Sequence, residues 1–272
     1  MDRVRSADGT DIAFDRLGEG RPVILVSGAS TSRAVHASLA ELLAADFAVF
    51  NYDRRGRGDS GDTAPYAVER EIDDIGAVMT AAGGSAALFG NSSGAVLALR
   101  ATAAGLPVAR LALWEPPFMV DPDAPRRQRE YLTRLEELIA AGRRGDALAL
   151  FMTTVGLPAE QIEGIRRSPM WPDLEAVAPT LVYDARVMGD STLPADLGAA
   201  VRVPTLVLTG GDSGAWADDA AGAVTAGLPG ARHHVLAGQT HAVAWDVLAG
   251  PLDAFFSERL ADEARSGGNA RW

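Results

Sequence analysis

The sequence predicts an α/β protein: a mostly parallel sheet of eight strands, helices on both faces, and a helical insert that interrupts the alternation. Three observations carry this. Short apolar runs alternate with helical patterns through residues 1–116 and again over 203–272. Between them, residues 117–202 hold helical patterns and no convincing strand. One apolar run also ends in Gly90-Asn91-Ser92-Ser93-Gly94, a turn that leads straight into a small-residue helix. Strands alternating with helices at this spacing imply parallel pairing with both sheet faces covered.

The elements follow in order. Residues 4–14 alternate apolar and polar around Asp8-Gly9 and read as a hairpin. Residues 22–27 (PVILVS) are a continuous apolar run, the mark of a strand buried on both faces. A helical pattern over 32–45, a strand over 48–52 and an amphipathic helix over 69–82 come next. The strand 86–89 precedes the turn at Ser92, the helix 95–104 follows it, and a strand over 111–114 completes the first half. The insert contains helical patterns over 128–141 and 145–154, interrupted by Pro, Gly and Asp. Alternation resumes with strand 205–208, helix 217–226, strand 233–236 and helix 244–260. Ser266-Gly267-Gly268-Asn269 reads as a fraying tail.

Composition narrows the chemistry. With 47% hydrophobic and 22% charged residues, the 272-residue chain has ample material for a globular core. A net charge of −11 argues against nucleic acid or an anionic membrane as partner. There is no Cys, which excludes disulfides, thiolate nucleophiles and Cys-ligated metals. All 25 basic residues are Arg, so a Schiff-base lysine, an S-x-x-K dyad and a P-loop lysine are excluded too. The Arg bias, with abundant Ala and Gly, points to a GC-rich bacterial genome. No apolar leader follows Met1, and no apolar run approaches a membrane span, so a cytoplasmic protein is expected.

The motif at Ser92 reads G-x-S-x-G in a strand–turn–helix context, the setting of a nucleophile elbow. A serine there sits on strained backbone with its hydroxyl clear of the sheet. The Ser93 N–H opens the helix, where amides are free to bind an oxyanion. Serine needs a base, and the base needs a group to orient it. Of four histidines, His241 alone lies late in the chain on a loop after a strand, at the same end of the sheet as Ser92. His233 and His234 start that strand at the far end, and His36 falls inside a helix.

These residues, with the loop Ser27-Gly28-Ala29 and the segment Asp53-Arg54-Arg55-Gly56-Arg57-Gly58-Asp59-Ser60, make the chain resemble the α/β-hydrolase-fold serine hydrolases that carry a helical cap. The resemblance covers residues 4–260 apart from the cap. It implies Ser92 as nucleophile, His241 as base, and the N–H groups of Ala29 and Ser93 as oxyanion donors. The family usually has His where Ser27 stands; a backbone donor survives that change. The acid has two family locations. In the commoner frame, Gly210-Gly211-Asp212-Ser213, the expected aspartate slot holds Ser213 and Asp212 comes one residue early. At the other, Glu115 directly follows a strand, among Trp114, Pro116, Pro117 and Phe118, where burying a carboxylate is costly without a partner. Glu115 is the expected acid and Asp212 the alternative.

Gly56-Arg57-Gly58-Asp59-Ser60-Gly61 also matches G-x-G-x-x-G, but Asp62-Thr63-Ala64-Pro65 follows, which resists the helix a dinucleotide site requires. The expected role is a shaped loop, with Asp53 and Arg54 paired, near the oxyanion loop. No metal motif is present, and neither metal nor cofactor is expected. The substrate pocket is expected from Trp114, Phe118, Met152, Trp171, Trp216 and Trp245, with Met119, Tyr131, Leu135, Phe151, Met170, Tyr183 and Met188 as further apolar cap residues. Such a roof suits a hydrophobic small-molecule substrate. The resemblance implies an ester or lactone hydrolase. The constellation also resembles that of carbon–carbon bond hydrolases, acyltransferases or thioesterases and cofactor-free haloperoxidases, and a non-catalytic small-molecule receptor on the same fold is the alternative of a different class.

Overall fold

The computed structural model describes residues 1–258. The tail at 266–269 and the last residues of the helix expected over 244–260 lie outside the described residues. The strands are β1 (Asp2–Arg5), β2 (Asp11–Leu17), β3 (Arg21–Val26), β4 (Phe47–Tyr52), β5 (Ala86–Asn91), β6 (Val108–Trp114), β7 (Thr205–Gly210) and β8 (Arg232–Leu236). They form one sheet in the order β1-β2-β4-β3-β5-β6-β7-β8. Pairing is antiparallel at β1–β2 and β2–β4 and parallel everywhere else. This is the eight-stranded, mostly parallel sheet that the sequence predicts.

Period-two alternation divides each central strand between two cores. Val23 and Leu25 of β3, Phe89 of β5 and Trp114 of β6 pack on one face, against α1 (Ala37–Leu43) and α11 (Trp245–Ser257). Ile24 and Val26, Leu88, and Leu111 and Leu113 pack on the other, against α2 (Val68–Ala81), α3 (Ser93–Ala103) and α10 (Ala215–Gly227). With both faces covered, neither set can be polar, so these strands read as unbroken apolar runs.

Two local details differ from the sequence reading. The stretch expected as one helix over 32–45 starts as a 3₁₀ turn, Arg33–His36, capped by the Ser32 hydroxyl, before α1 begins. Between β6 and β7 the chain forms six helices where two were legible: α4 (Ala124–Ala140), α5 (Arg144–Thr154), α6 (Ala159–Arg166), α7 (Trp171–Val177), α8 (Leu181–Met188) and α9 (Ala195–Ala200). The last four are short and are punctuated by Pro and Gly, which blurs a periodicity read over a longer window. The insert has its own apolar core, built from Leu135, Leu138, Leu148, Met152, Ile162 and Leu181 among others. No described helix is long and apolar enough to cross a membrane.

Candidate active site

Ser92 sits between β5 and α3 with φ 54° and ψ −128°, a conformation disfavoured for a side chain with a Cβ. The turn is that tight because the flanking glycines permit contact. A Cβ on Gly90 would stand 2.4 Å from the Gly94 carbonyl oxygen, and one on Gly94 would stand 2.3 Å from that of Val26. The Ser92 N–H donates to the Trp114 carbonyl at 2.9 Å, which locks the turn to the neighbouring strand. Ser93 opens α3, leaving its N–H among the amides that have no partner inside the helix.

Among the described residues, four besides glycine have left-handed φ: Ser30, Ser92, Glu115 and Ser191. Ser92 and Ser191 line one cavity of about 450 Å³, Ser30 follows Ala29 of its wall, and Glu115 lies behind His241 of that wall. Backbone strain of this kind costs on the order of 1–3 kcal/mol each and persists where the surroundings enforce it. Here it is concentrated at a single place.

Glu115 begins where β6 ends and is fully buried. Its Oε1 accepts the Gly210 N–H at 2.8 Å, and its Oε2 lies 2.6 Å from His241 Nδ1. Burial pushes the Glu115 carboxyl upward, but the His241 contact and the Gly210 amide outweigh it and hold the group below its ordinary value. An ionised carboxylate only accepts, so His241 carries its proton on Nδ1 and keeps Nε2 as the basic nitrogen. Trp114 Nε1–H donates to the His241 carbonyl at 3.1 Å, and the Trp216 ring stands edge-on to the imidazole with centroids 5.6 Å apart. Asp212 is exposed on the adjacent turn, its N–H donating to the Gln239 carbonyl. Glu115, not Asp212, therefore meets the imidazole. His233 and His234 lie on β8 at the edge of the sheet, and a His233 ring nitrogen bonds the Thr209 hydroxyl.

Gly28 packs directly against the serine: a Cβ on it would stand 3.2 Å from Ser92 Cβ. Its N–H donates to Asn91 Oδ1 at 3.1 Å, and the same oxygen accepts His36 Nε2–H at 2.9 Å. Burial lowers the His36 pKa to about 4, so this histidine is a neutral strut beneath the turn. Sequence reading placed His36 in a helix and missed that role. The 3₁₀ turn that aims it leaves no periodic signal.

The Asp53–Arg54 pairing expected from sequence is not formed. Asp53 accepts from the Arg33 guanidinium, the Arg33 N–H and the Asp59 N–H. Arg54 makes a bidentate pair with Glu71 and reaches Asp184 Oδ1 at 2.7 Å. Adjacent side chains point apart at the end of a strand, so each finds a different partner. Arg57 Nη2 bonds Asp184 Oδ2 at 2.7 Å. Both Asp184 and Glu71 are held below their ordinary values: burial raises them and the arginines more than offset it.

The cavity is walled by Ala29, Ser92, Ser93 and His241 below and by insert residues such as Tyr131, Phe151 and Met188 above, with Met119 and Trp216 at its side. Of the six pocket residues favoured by sequence, Trp216 alone is in this wall. Trp114 and Phe118 are buried in the two sheet-face cores. Met152 belongs to the insert's own core, one step around α5 from Phe151. Trp171 lies under the Arg166 guanidinium, and Trp245 packs edge-on to His36. Tyr183 stacks on Tyr66, while Leu135 is buried in the insert and Met170 is exposed. Packing on the sheet claims Trp114 and Phe118, and packing within the insert claims Leu135 and Met152, which residue type alone does not reveal.

Residues 23–257 match the model of the alpha/beta hydrolase family. Over 147 residues the chain is 34% identical to N-formylmaleamate deformylase of Pseudomonas putida. That stretch is 50% of this chain and 53% of the deformylase, so the match spans about half the length of each. A solved alpha/beta hydrolase from Sphaerobacter thermophilus is 52% identical with a TM-score of 0.86, covering 94% of this chain and 100% of that one. The enol-lactonase of Burkholderia xenovorans is 20% identical with a TM-score of 0.69, covering 94% and 100% of the two chains, a likeness of fold.

Proposed function

The chain belongs to the α/β hydrolase family, and from that premise we propose that it is a serine hydrolase cleaving an ester or lactone of an uncharged, hydrophobic small molecule. One observation carries the reading: a histidine whose Nδ1 is held 2.6 Å from a buried carboxylate shares a cavity with a serine on a strained strand–helix turn. In this reading Ser92 Oγ attacks the carbonyl carbon and its proton passes to His241 Nε2. Glu115 stabilises the imidazolium that results. The N–H groups of Ala29 and Ser93 receive the developing oxyanion. Collapse expels the alcohol, which takes the proton from His241. Water, deprotonated by the same nitrogen, then releases the acid and restores Ser92.

The composition of the wall supports the substrate class. Among the described residues no arginine lines the cavity, and the one carboxylate there, Asp184, is saturated by Arg54, Arg57 and Ser93. An anionic substrate would find no free cation there among the described residues. Phe151, Tyr131, Val155, Met119, Met188 and Trp216 favour apolar groups. A second reading, hydrolysis of a small N-formyl amide by the same residues, is favoured by the identity to the deformylase.

A panel of p-nitrophenyl esters, lactones and N-formyl amides, run with wild type and Ser92→Ala, tests this. The expected result is turnover of neutral esters or lactones that Ser92→Ala abolishes. Turnover confined to N-formyl amides supports the second reading. No turnover of any member, with tight binding of apolar ligands, would make the protein a receptor.

A further inference from the structure

We propose that Arg57, held in place by Asp184 of the helical insert, is a positioning residue that aims the Ala29 N–H at the oxyanion. The proposal rests on the serine-hydrolase reading above. Its geometry starts from peptide planarity: in a trans peptide the C=O of one residue and the N–H of the next point in opposite directions. Whatever holds the Gly28 carbonyl therefore also sets where the Ala29 N–H points. Arg57 Nη1 donates to the Gly28 carbonyl oxygen at 2.6 Å, and the Thr31 hydroxyl donates to it at 2.9 Å. The preceding peptide unit, between Ser27 and Gly28, is fixed at both ends too. Arg54 Nη1 donates to the Ser27 carbonyl at 3.2 Å, and the Gly28 N–H is bound to Asn91 Oδ1. Gly28 lies against Ser92, and Ala29 is in the wall of the cavity that Ser92 lines.

Arg57 is itself oriented from the insert. Its Nη2 bonds Asp184 Oδ2 at 2.7 Å, while Asp184 Oδ1 accepts from Arg54 Nη1 at 2.7 Å and from the Ser93 hydroxyl at 2.8 Å. One carboxylate on α8 thus touches the residue that supplies one oxyanion donor and orients the arginine that sets the other. As a device for stability alone the arrangement is poor. Arg57 is 1% exposed and its Nε is without a partner among the described residues. Buried ion pairs seldom outdo apolar packing in stability, and an unpaired buried N–H detracts further. The cluster makes sense where fixed orientation is what matters.

The test compares wild type, Arg57→Met, Arg57→Lys and Thr31→Val on p-nitrophenyl acetate, with circular dichroism to show folding. An aryl trifluoromethyl ketone, which forms a tetrahedral adduct on serine, reads the oxyanion site directly. Loss of one oxyanion donor typically costs 10²–10³ in kcat, and a misaimed one less, so Arg57→Met is expected to lose about 30-fold in kcat. KM should stay within about twofold, because the interaction forms only in the transition state. Inhibition by the ketone should weaken by the same factor as kcat. Arg57→Lys should fall between the two, since an ammonium reaches one acceptor but lacks the fork that spans both. Folded Arg57→Met with wild-type kcat, or with a raised KM at unchanged kcat, overturns the proposal. Should Arg57→Met fail to fold, Thr31→Val decides. A drop of about threefold in kcat at constant KM supports the proposal, and wild-type kcat overturns it. Absence of wild-type turnover and of ketone inhibition would strike the serine-hydrolase reading instead, so the two failures are distinct.

Discussion

Replacing Glu115 by Gln isolates the role of the buried carboxylate with almost no change of shape. Both oxygens of Glu115 are used: Oε1 accepts the Gly210 N–H and Oε2 faces His241 Nδ1. A glutamine that keeps its oxygen on Gly210 must turn its NH₂ toward Nδ1, where two donors would meet. The ring relieves this by moving its proton to Nε2, the nitrogen that must accept from Ser92. The side chain is fully buried, so water cannot restore the contact. Wrong tautomer and lost charge together cost about 10⁴ in kcat in a comparable triad, which is about 5.4 kcal/mol of barrier. Continuous p-nitrophenyl ester hydrolysis measures the loss, and circular dichroism shows that the fold survives. Asp212→Asn, on the exposed turn, should stay within about tenfold of wild type by comparison. A folded Glu115→Gln keeping more than a tenth of wild-type kcat, or an equal loss in Asp212→Asn, would refute the reasoning.

Other outcomes follow from the same geometry. Gly94→Ala places a Cβ 2.3 Å from the Val26 carbonyl oxygen, a backbone atom that cannot yield cheaply. It should cost about 3 kcal/mol and lower Tm by about 6–12 °C, and an unchanged Tm would contradict the close packing of the turn. Phe151→Ala and Trp216→Ala, both in the cavity wall, should shift the preference among acyl chain lengths, whereas Met152→Ala should lose about 2–4 kcal/mol of stability and keep the wild-type profile. The opposite pattern would exchange the roles of the two faces of α5. Glu115, Glu71 and Asp184 are all held below their ordinary values of 4.5, 4.5 and 3.8. Depressed carboxyls add stability that is complete above those values and is lost as pH falls through the lower folded ones. His36, whose folded value of about 4 lies below its ordinary 6.5, stays neutral in the fold while the unfolded chain takes up its proton, so Tm should begin to fall below about pH 6.5 and fall more steeply below about 4 as the carboxylates protonate; a Tm that rises there would contradict the buried pairing.

Some of this was legible in the sequence for definite reasons. Ser92 was visible because a strained turn between a strand and a helix needs glycine on both sides, and G-x-S-x-G is the residue-level trace of that need. Glu115 was visible because a carboxylate placed directly after a buried strand needs a partner. The sheet was visible because two covered faces leave no room for polar alternation. The cavity wall was not: Phe151 and Met152 are adjacent, and only the packing of the insert helices decides which one faces the serine. The cluster of Arg54, Arg57 and Asp184 was hidden by distance, since the partners lie more than 120 residues apart in the chain. Arg57 itself was masked by a glycine-rich segment whose pattern suggested only a loop.

Labelling with a fluorophosphonate, followed by intact mass and peptide mapping, tests the central claim most directly. The account predicts one adduct per chain, located on Ser92, abolished by Ser92→Ala and slowed in Glu115→Gln by a factor comparable to its loss of ester turnover. An adduct on any other residue, or a wild-type protein that hydrolyses esters while Ser92 stays unlabelled, would contradict it.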